Sequence, residues 1–228
     1  MQKLVVLSGA GMSAESGIMT FRDMGGMWEQ YNIEEVASPI AWQQDPQLVL
    51  DFYNIRRKQL MEVEPNAGHF AIAELESKFD VQIITQNVDN LHERAGSTNV
   101  MHLHGELMKV RSEADESLIH EMDHWELKLG DTAEDGHQLR PHIVWFGEAV
   151  PMIEEAIPIV QNADIFMVVG TSLQVYPAAG LLSYAEHEIP KYYIDPNAGE
   201  LHISNMTCLN DKAGVGLPKL VKQLLSTT

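Results

Sequence analysis

The sequence predicts an α/β fold in which helices cover both faces of a parallel β-sheet. Two observations lead to this prediction: short apolar strands alternate with helical segments along the 228 residues, and two of the strands run directly into glycine turns. Parallel neighbours need crossover connections, and the helices in those connections bury the sheet on both sides. The ligand of such a fold lies beyond the carboxyl ends of the strands, so we expect the functional residues there.

The predicted strands are short runs of apolar and β-branched residues. They lie at residues 4–7, 81–85, 100–103, 165–169 and 192–194, and the first and fourth lead into the glycine turns 8–11 and 170–172. The predicted helices span residues 46–63, 66–79, 153–161, 177–187 and 217–225. Asp45-Pro46 opens the first helix, because Asp caps a helix well and Pro suits its first turn.

We expect one domain over residues 1–228 that consists of a core and a small inserted subdomain. Segment 111–138 is acidic and poor in apolar residues, unlike its surroundings, which is typical of an insert. The core, a Rossmann-like doubly wound sheet, is expected from about residues 1–25, 66–110 and 140–228. The small subdomain is expected from about residues 26–65 and 111–139.

Composition excludes several classes of function. The chain is 45% hydrophobic, yet no apolar run approaches the roughly 20 residues of a membrane span. Its formal charge of −18 argues against nucleic acid as a partner, because phosphate contacts require a basic surface. A single cysteine, Cys208, allows no internal disulfide, so we expect a cytoplasmic location. For the oligomeric state, a monomer is favoured.

Residues 120–124 read HEMDH, which fits the zinc-protease pattern H-E-x-x-H. Helical periodicity predicts an amphipathic helix over residues 117–129, with one apolar face formed by Leu118, Met122, Trp125 and Leu129. His120 and His124 would then lie on the opposite, solvent-facing side. This placement argues against a metalloprotease, whose two ligands must face a cleft.

The first glycine turn fits the dinucleotide-binding pattern G-x-G-x-x-G/A, since 9–14 read GAGMSA directly after a strand. A dehydrogenase would next show a second strand that ends in an acidic residue about 20 positions on. Residues 16–28 instead form a glycine-bearing loop with Phe21, Arg22 and Trp28, which predicts a lid over the ligand. The turn therefore indicates a nucleotide site but does not favour hydride transfer.

Five segments together resemble the signature blocks of the sirtuin family. GAGMSAESGIMTFRD at 9–23 resembles GAGxSxxSGIPxFR, and TQNVDNLHERAG at 85–96 resembles TQNxDxLHxxAG. HLHGE at 102–106, RPHIVWFGE at 140–148 and GTSLQVYPAAG at 170–180 match three further blocks in type and order. The resemblance spans nearly the whole chain. It implies an NAD-dependent protein-lysine deacylase that releases nicotinamide and leaves the acyl group on ADP-ribose.

The resemblance also implies roles for individual residues. His104 is expected to be the general base toward the ribose hydroxyls, with Asn87 as the second catalytic residue, and a near-neutral pKa suits a histidine base. Asn87 and Asp89 are expected to hold the nicotinamide amide, and Gln86 the ribose. The full set expected to bind NAD is Gly9, Ala10, Gly11, Ala14, Ile18, Phe21, Arg22, Trp28, Gln86, Asn87, Val88, Asp89, Gly170, Thr171, Ser172, Asp195 and Ala213.

For the substrate, the resemblance implies two extended segments that pair with an acyl-lysine peptide as an added strand. They contain Phe146, Gly147, Glu148, Val175 and Tyr176.

The acyl group is expected to be acidic. Tyr53 and Arg56 lie three apart on one helix face and resemble the Y-x-x-R pair of the branch that removes succinyl and malonyl groups, while Ala37 matches that branch's small residue.

The sequence departs from the family where sirtuins hold structural zinc with two C-x-x-C pairs. Segment 111–138 contains no cysteine, so we expect no zinc and expect apolar packing to replace it. A replacement metal site formed by His120, His124, His137 and the carboxylates of this segment is the open alternative, since N and O ligands can hold zinc. The usual Pro of SGIPxFR is Met19 here, which removes a fixed φ. For the function, one alternative stays open: an NAD- or ADP-ribose-binding homologue with weak deacylase or with ADP-ribosyltransferase activity.

Overall fold

The computed structural model describes residues 1–18, 33–200 and 203–227. Nine strands lie in these ranges: β1 (Lys3–Ser8), β2 (Asp80–Thr85), β3 (Val100–His102), β4 (Gly105–Ser112), β5 (Ile119–Glu121), β6 (Leu139–Ile143), β7 (Ile165–Val169), β8 (Lys191–Ile194) and β9 (Met206–Leu209). Six of them form one sheet in the order β3-β2-β1-β7-β8-β9, and all neighbouring pairs are parallel. The five predicted strands are confirmed within one or two residues.

The described α-helices are α1 (Ile33–Val36), α2 (Pro39–Gln44), α3 (Pro46–Glu62), α4 (Ala67–Leu75), α5 (Leu91–Arg94), α6 (Met152–Gln161) and α7 (Ala213–Thr227). Short 3₁₀ segments cover Ala10–Met12, Ala14–Ser16, Ala178–Tyr184 and Ala198–Glu200. The Asp45 carboxylate accepts from Leu48 N at the start of α3, as the sequence predicts. The predicted helix 177–187 is instead a 3₁₀ segment. None of the helices described is long and apolar enough to cross a membrane.

The large sheet is doubly wound, which confirms the predicted fold class. Along β1, Leu4 and Val6 pack into one apolar cluster with α4 and α7, whereas Val5 and Leu7 pack into another with α6. Alternate residues of a strand point to opposite faces, so both layers are anchored by the same strand. The strand order reverses between β1 and β7, which makes their carboxyl ends the expected ligand crevice.

The second sheet is small and antiparallel, with the order β5-β4-β6. It shares an apolar core with α2 and α3, to which Leu50, Phe52, Val110 and Ile143 belong. Its strands extend beyond the expected limits 111–139 on both sides. The division of the chain into core and subdomain stays a prediction.

The predicted amphipathic helix over 117–129 is wrong. Ile119–Glu121 forms β5, where His120 lies opposite Val110 of β4, and the strand is followed by an irregular segment. Pairing with β4 satisfies this backbone in place of helical hydrogen bonds, so tertiary contacts override the helical periodicity. Trp125 and Leu129 are exposed instead of packed. The helix face that the zinc-protease pattern needs is therefore absent at HEMDH.

Candidate active site

The glycine turns after β1 and β7 interlock at the point where the strand order reverses. Gly9 N donates to Val169 O over 3.0 Å, and Gly11 N donates to Gly170 O over 2.8 Å. A Cβ on Gly11 would lie 2.8 Å from Gly170 Cα, and Gly170 itself has φ +60. Only glycine permits this approach and this conformation. The N–H groups of Gly9 and Gly11 thus hold the two turns together. The sequence pattern predicted instead that N–H groups of this turn bind phosphate.

Polar residues that follow β2 meet these turns from the other side. Gln86 Nε2 donates to Thr171 Oγ1 over 3.3 Å, which joins the ends of β2 and β7 across β1. Asn87 is buried, with its side-chain Nδ2 donating to Ser13 Oγ over 3.0 Å and its backbone N donating to Thr85 Oγ1 over 3.0 Å. The structure therefore brings together Gln86, Asn87 and Thr171, as the sequence predicts.

Two buried histidines support Asn87, and the sequence analysis missed both. His69 Nδ1 accepts from Asn66 N over 3.2 Å, so its Nε2 carries the proton and faces Ser13 Oγ at 3.5 Å. Ser13 is the hydroxyl that Asn87 donates to. Burial lowers the pKa of His69 to about 4, so the ring is neutral at pH 7.

His92 belongs to a second chain of hydrogen bonds that reaches Asn87. Ser8 Oγ donates to Thr85 Oγ1 over 2.9 Å, so Ser8 accepts from His92 Nε2 over 3.0 Å. The pKa of His92 lies well below its ordinary value. Burial is the main cause, and the nearby His69 and His102 lower the pKa further. Two neutral imidazoles thus fix the hydroxyl directions around Asn87. The sequence signal for this network was that polar residues, among them Ser8, Thr85 and His92, lie within or beside apolar segments that are buried.

Asp89 lies beside this network in a low-dielectric position. It is 4% exposed, and burial raises the pKa of its carboxyl, while hydrogen bonds from Leu91 N and Ser13 oppose the rise. The charge of Asp89 also acts on Arg56 of α3, whose pKa is lowered by burial and raised by Tyr53 and Asp89.

His104 has the geometry of a general base. Its Nδ1 lies 3.0 Å from Gln86 O, and a carbonyl only accepts, so Nδ1 carries the proton and Nε2 has the lone pair. Burial lowers the pKa of His104, and the bond to Gln86 opposes that shift. His102 differs: burial alone lowers its pKa, but bonds to Glu93 at 2.7 Å and Asn87 O at 3.0 Å raise the pKa overall.

The expected acyl residues converge beneath the segment that follows β6. Val144 N donates to His104 O over 2.9 Å, and Phe146 N donates to Ala37 O over 3.0 Å. Between them, Trp145 Nε1 donates to the Tyr53 hydroxyl oxygen over 3.0 Å. Tyr53 is 1% exposed, and the guanidinium carbon of Arg56 lies 5.9 Å from the centre of its ring. One continuous segment therefore connects His104 to Tyr53.

Neither expected peptide-pairing segment is extended in this structure, so that feature of the prediction is wrong, whereas pairing with a substrate peptide stays a prediction. Residues 146–148 form a turn, in which Gly147 has φ +92 and Glu148 N donates to Trp145 O. The Glu148 carboxylate accepts from Arg140 and from Trp145 N over 2.7 Å, which makes it an internal anchor of this turn. Val175 and Tyr176 are 48% and 75% exposed, before the 3₁₀ segment Ala178–Tyr184.

The residues expected around adenosine lie at the ends of β7 and β8 and at the start of α7. Asp195 follows β8 and accepts from Asn197 N through Oδ1. Ala213 is buried at the first residue of α7, and Gly214 N donates to the Glu15 carboxylate over 2.7 Å. The other described members of the set are Ala10, Ala14, Ile18, Val88 and Ser172. Phe21, Arg22 and Trp28, with the predicted lid, lie outside the described residues.

The sequence profile of the Sir2 family matches residues 9–177, which include both glycine turns, Asn87 and His104. The chain belongs to the Sir2 family. It is 56% identical over 228 residues to a NAD-dependent protein deacylase of Helicobacter pylori, with 99% of this chain and 98% of the relative covered. A NAD-dependent protein deacylase of Bacteroides thetaiotaomicron is 57% identical over 231 residues, with 99% and 98% covered. A solved Sir2 homologue in complex with NAD is 39% identical, with a TM-score of 0.90 and with 99% of this chain and 90% of that chain covered.

Membership of the Sir2 family confirms the resemblance and NAD as the cofactor. The groups in the crevice suit NAD. The Asn87 amide and the buried Asp89 carboxyl match the carboxamide of nicotinamide, and His104 with its Nε2 lone pair matches a ribose hydroxyl. Within the described ranges, no three His, Cys, Asp or Glu side chains are grouped so that they would hold a metal ion. The HEMDH histidines pair with carboxylates: His120 with Glu134 at 3.1 Å and His124 with Asp123 at 2.7 Å.

Proposed function

We propose that this NAD-dependent protein-lysine deacylase of the Sir2 family prefers acidic acyl groups, succinyl and malonyl, over acetyl. The observation that carries the proposal is the pair formed by Tyr53 and Arg56 on one face of α3, with Tyr53 bonded to Trp145 in the segment 144–146 that also binds His104 O. A phenolic hydroxyl and a guanidinium together match a carboxylate. An acetyl group has no carboxylate to use them.

In the proposed reaction, bound NAD would supply an electrophilic ribose carbon, and acyl-lysine, NAD and one water molecule would give nicotinamide, the deacylated lysine side chain and O-acyl-ADP-ribose. Asn87 and Asp89 hold the carboxamide, with Asn87 oriented by Ser13 and Thr85. His104 accepts a proton from a ribose hydroxyl at Nε2, since Nδ1 is bound to Gln86 O. The histidine is neutral at pH 7 because burial lowers its pKa, so it is ready to act as a base.

The remaining expected residues complete the site in this proposal. Gln86, Thr171 and Ser172 lie at the strand ends where the ribose and phosphate groups would be held. Ala37, which is buried against the turn at Phe146, leaves room for a longer acyl chain. Phe146, Val175 and Tyr176 are exposed apolar side chains suited to a peptide, whose backbone would pair with the turns that carry them.

The test compares kcat/KM on succinyl-, malonyl- and acetyl-lysine versions of one peptide, with nicotinamide release and peptide mass as readouts. We expect the wild type to prefer the acidic acyl groups. Arg56→Met should lower kcat/KM on the succinyl peptide roughly 10- to 100-fold, because a charge-assisted hydrogen bond contributes about 1.5–3 kcal/mol. Acetyl turnover should change little.

Lys58→Met is the matched control, since Lys58 lies on α3 with its ammonium over the Trp125 ring, away from Tyr53. It should leave the succinyl-to-acetyl ratio unchanged. A wild-type enzyme that prefers acetyl-lysine would refute the proposal. Nicotinamide release with ADP-ribose transferred to protein, and no deacylated peptide, would support the alternative of an ADP-ribosyltransferase.

A further inference from the structure

We infer that Trp145 is a positioning residue for acyl selectivity, because its indole N–H fixes the Tyr53 hydroxyl as a donor toward the acyl carboxylate. The inference rests on the proposed preference for acidic acyl groups. An indole N–H is a donor only, so the 3.0 Å bond from Trp145 Nε1 makes the Tyr53 oxygen an acceptor. The phenolic proton must then point to a different acceptor. Among the residues described, no hydrogen bond uses that proton.

The Trp145 ring is held from three sides, so its N–H has one direction. The guanidinium carbon of Arg140 lies 3.4 Å from the ring centre, and Trp42 stacks at 5.8 Å between centroids. The Trp145 backbone N donates to the Glu148 carboxylate over 2.7 Å, and that carboxylate also binds both terminal nitrogens of Arg140. Trp145 is 2% exposed. A donor held this firmly restricts the rotation of the phenolic O–H.

Burial keeps the Tyr53 hydroxyl protonated and therefore able to donate. Burial raises the pKa of Tyr53, while Arg56, the Trp145 bond and Arg140 lower it to a smaller extent. A hydroxyl that accepts one hydrogen bond also donates a stronger one, because linked bonds polarise each other. The bond from Trp145 therefore strengthens the interaction with a carboxylate beside Arg56.

This role predicts an effect that depends on the acyl group, whereas a role in packing alone does not. A buried tryptophan always needs an acceptor for its N–H, and a merely structural bond would affect all substrates equally when it is lost. Orientation of the Tyr53 proton matters only when the acyl group carries an acceptor. The succinyl-to-acetyl ratio of kcat/KM is therefore the informative quantity.

The experiment uses Trp145→Phe, which keeps an aromatic ring on Arg140 and removes the N–H donor. On the succinyl peptide we expect kcat/KM to fall about 5- to 10-fold, mostly through KM, as loss of one hydrogen bond of about 1–1.5 kcal/mol predicts. On the acetyl peptide it should stay within about twofold. Trp125→Phe is the matched control, since Trp125 is an exposed indole that lies under the Lys58 ammonium; it should not change the ratio.

A double-mutant cycle makes the result specific to the bond. In a Tyr53→Phe background the hydroxyl is gone, so Trp145→Phe should produce no further loss on the succinyl peptide. Equal losses on both peptides, or an undiminished loss in that background, would overturn the inference. If Trp145→Phe does not fold, as judged from its melting curve, the test uses site-specific replacement of Trp145 by its benzothienyl analogue, in which sulfur replaces the N–H.

Failure of this inference and failure of the proposed function give different results. A wild type that prefers acetyl-lysine contradicts the proposed function. A wild type that prefers succinyl-lysine and responds to Arg56→Met, but whose ratio is unaffected by Trp145→Phe, contradicts only the role of Trp145.

Discussion

The parallel sheet and the irregular part of the small subdomain are stabilised in different ways. The parallel sheet lies between apolar layers. Val6 and Leu7 of β1 are fully buried, and their apolar side chains need no hydrogen bond. The irregular part of the small subdomain is held by side chains that bind its backbone. Asn54 both donates to Leu127 O and accepts from Leu127 N, each over 2.9 Å, and Arg57 Nε donates to Trp125 O over 2.8 Å.

This difference suggests a division of labour along α3. Tyr53 and Arg56 belong to the proposed acyl site, while the adjacent Asn54 and Arg57 bind the backbone of Leu127 and Trp125. Arg57 is fully buried, and burial lowers its pKa to about 10, with Tyr53 opposing the shift. In the proposed function, the parallel sheet would position the groups of the NAD reaction, and the small subdomain would position those that select the acyl group. Three predictions test this division.

The largest effect should come from the parallel-sheet side. His104→Ala should lower kcat/KM about 1,000-fold on succinyl and acetyl peptides alike, because a general base contributes about 10²- to 10⁴-fold whatever the acyl group. Nicotinamide release measures the effect. Exposed His124, replaced by Ala, is the control and should retain full activity. A loss confined to one acyl group would place His104 in selection and would break the division.

The second prediction concerns the clamp on the small subdomain. Asn54→Ala should lower the free energy of unfolding by about 3 kcal/mol, because Leu127 N, Leu127 O and Arg57 Nη2 each lose a buried partner. Urea unfolding measures the loss, and hydrogen exchange should locate it at residues 122–129. Gln47→Ala is the control: Gln47 is an exposed amide on the same helix, bound to Asp51. Equal effects of the two substitutions would show that Asn54 is not a clamp.

The same contrast explains which features could be read from the sequence. Strands β1 and β7 are buried on both faces, so each appears as a continuous apolar run, and in β2 only Gln82 interrupts the apolar residues 81–84. Strands β4, β5 and β6 read GELMKVRS, IHE and LRPHI, in which charged residues conceal the strand pattern. The helix predicted over 117–129 failed because pairing with β4 and the bonds from α3 are tertiary contacts that the helical periodicity does not encode.

The candidate site divides in a similar way. Residues at strand ends, such as Gln86 and Thr171, are visible as motifs after apolar runs, and the structure brings them together. The hydrogen-bond network of Ser13, His69 and His92 joins segments more than 20 positions apart, and no local pattern encodes such contacts. The roles of the individual residues stay predictions until the variants are measured.

The smallest effect concerns the dependence of stability on pH, and it arises on the parallel-sheet side. His69 has a pKa of about 4 when folded against an ordinary 6.5, because burial disfavours its charged form. Between these values the unfolded chain binds a proton that the folded chain does not, so stability falls as the pH falls. Linkage gives about 2 kcal/mol lost by pH 5 for this one group. His92 acts in the same direction.

The measurement is the free energy of unfolding at pH 7 and pH 5 for the wild type and for His69→Asn, which keeps an acceptor near the Asn66 N–H. The variant should lose roughly 2 kcal/mol less than the wild type over that interval. Taking the difference between proteins cancels the opposite contribution of His102, whose raised pKa adds stability as the pH falls. His124→Asn, at an exposed position, should follow the wild type. If His69→Asn showed the same pH dependence as the wild type, His69 would not be a buried neutral donor, and Ser13 would orient Asn87 without it.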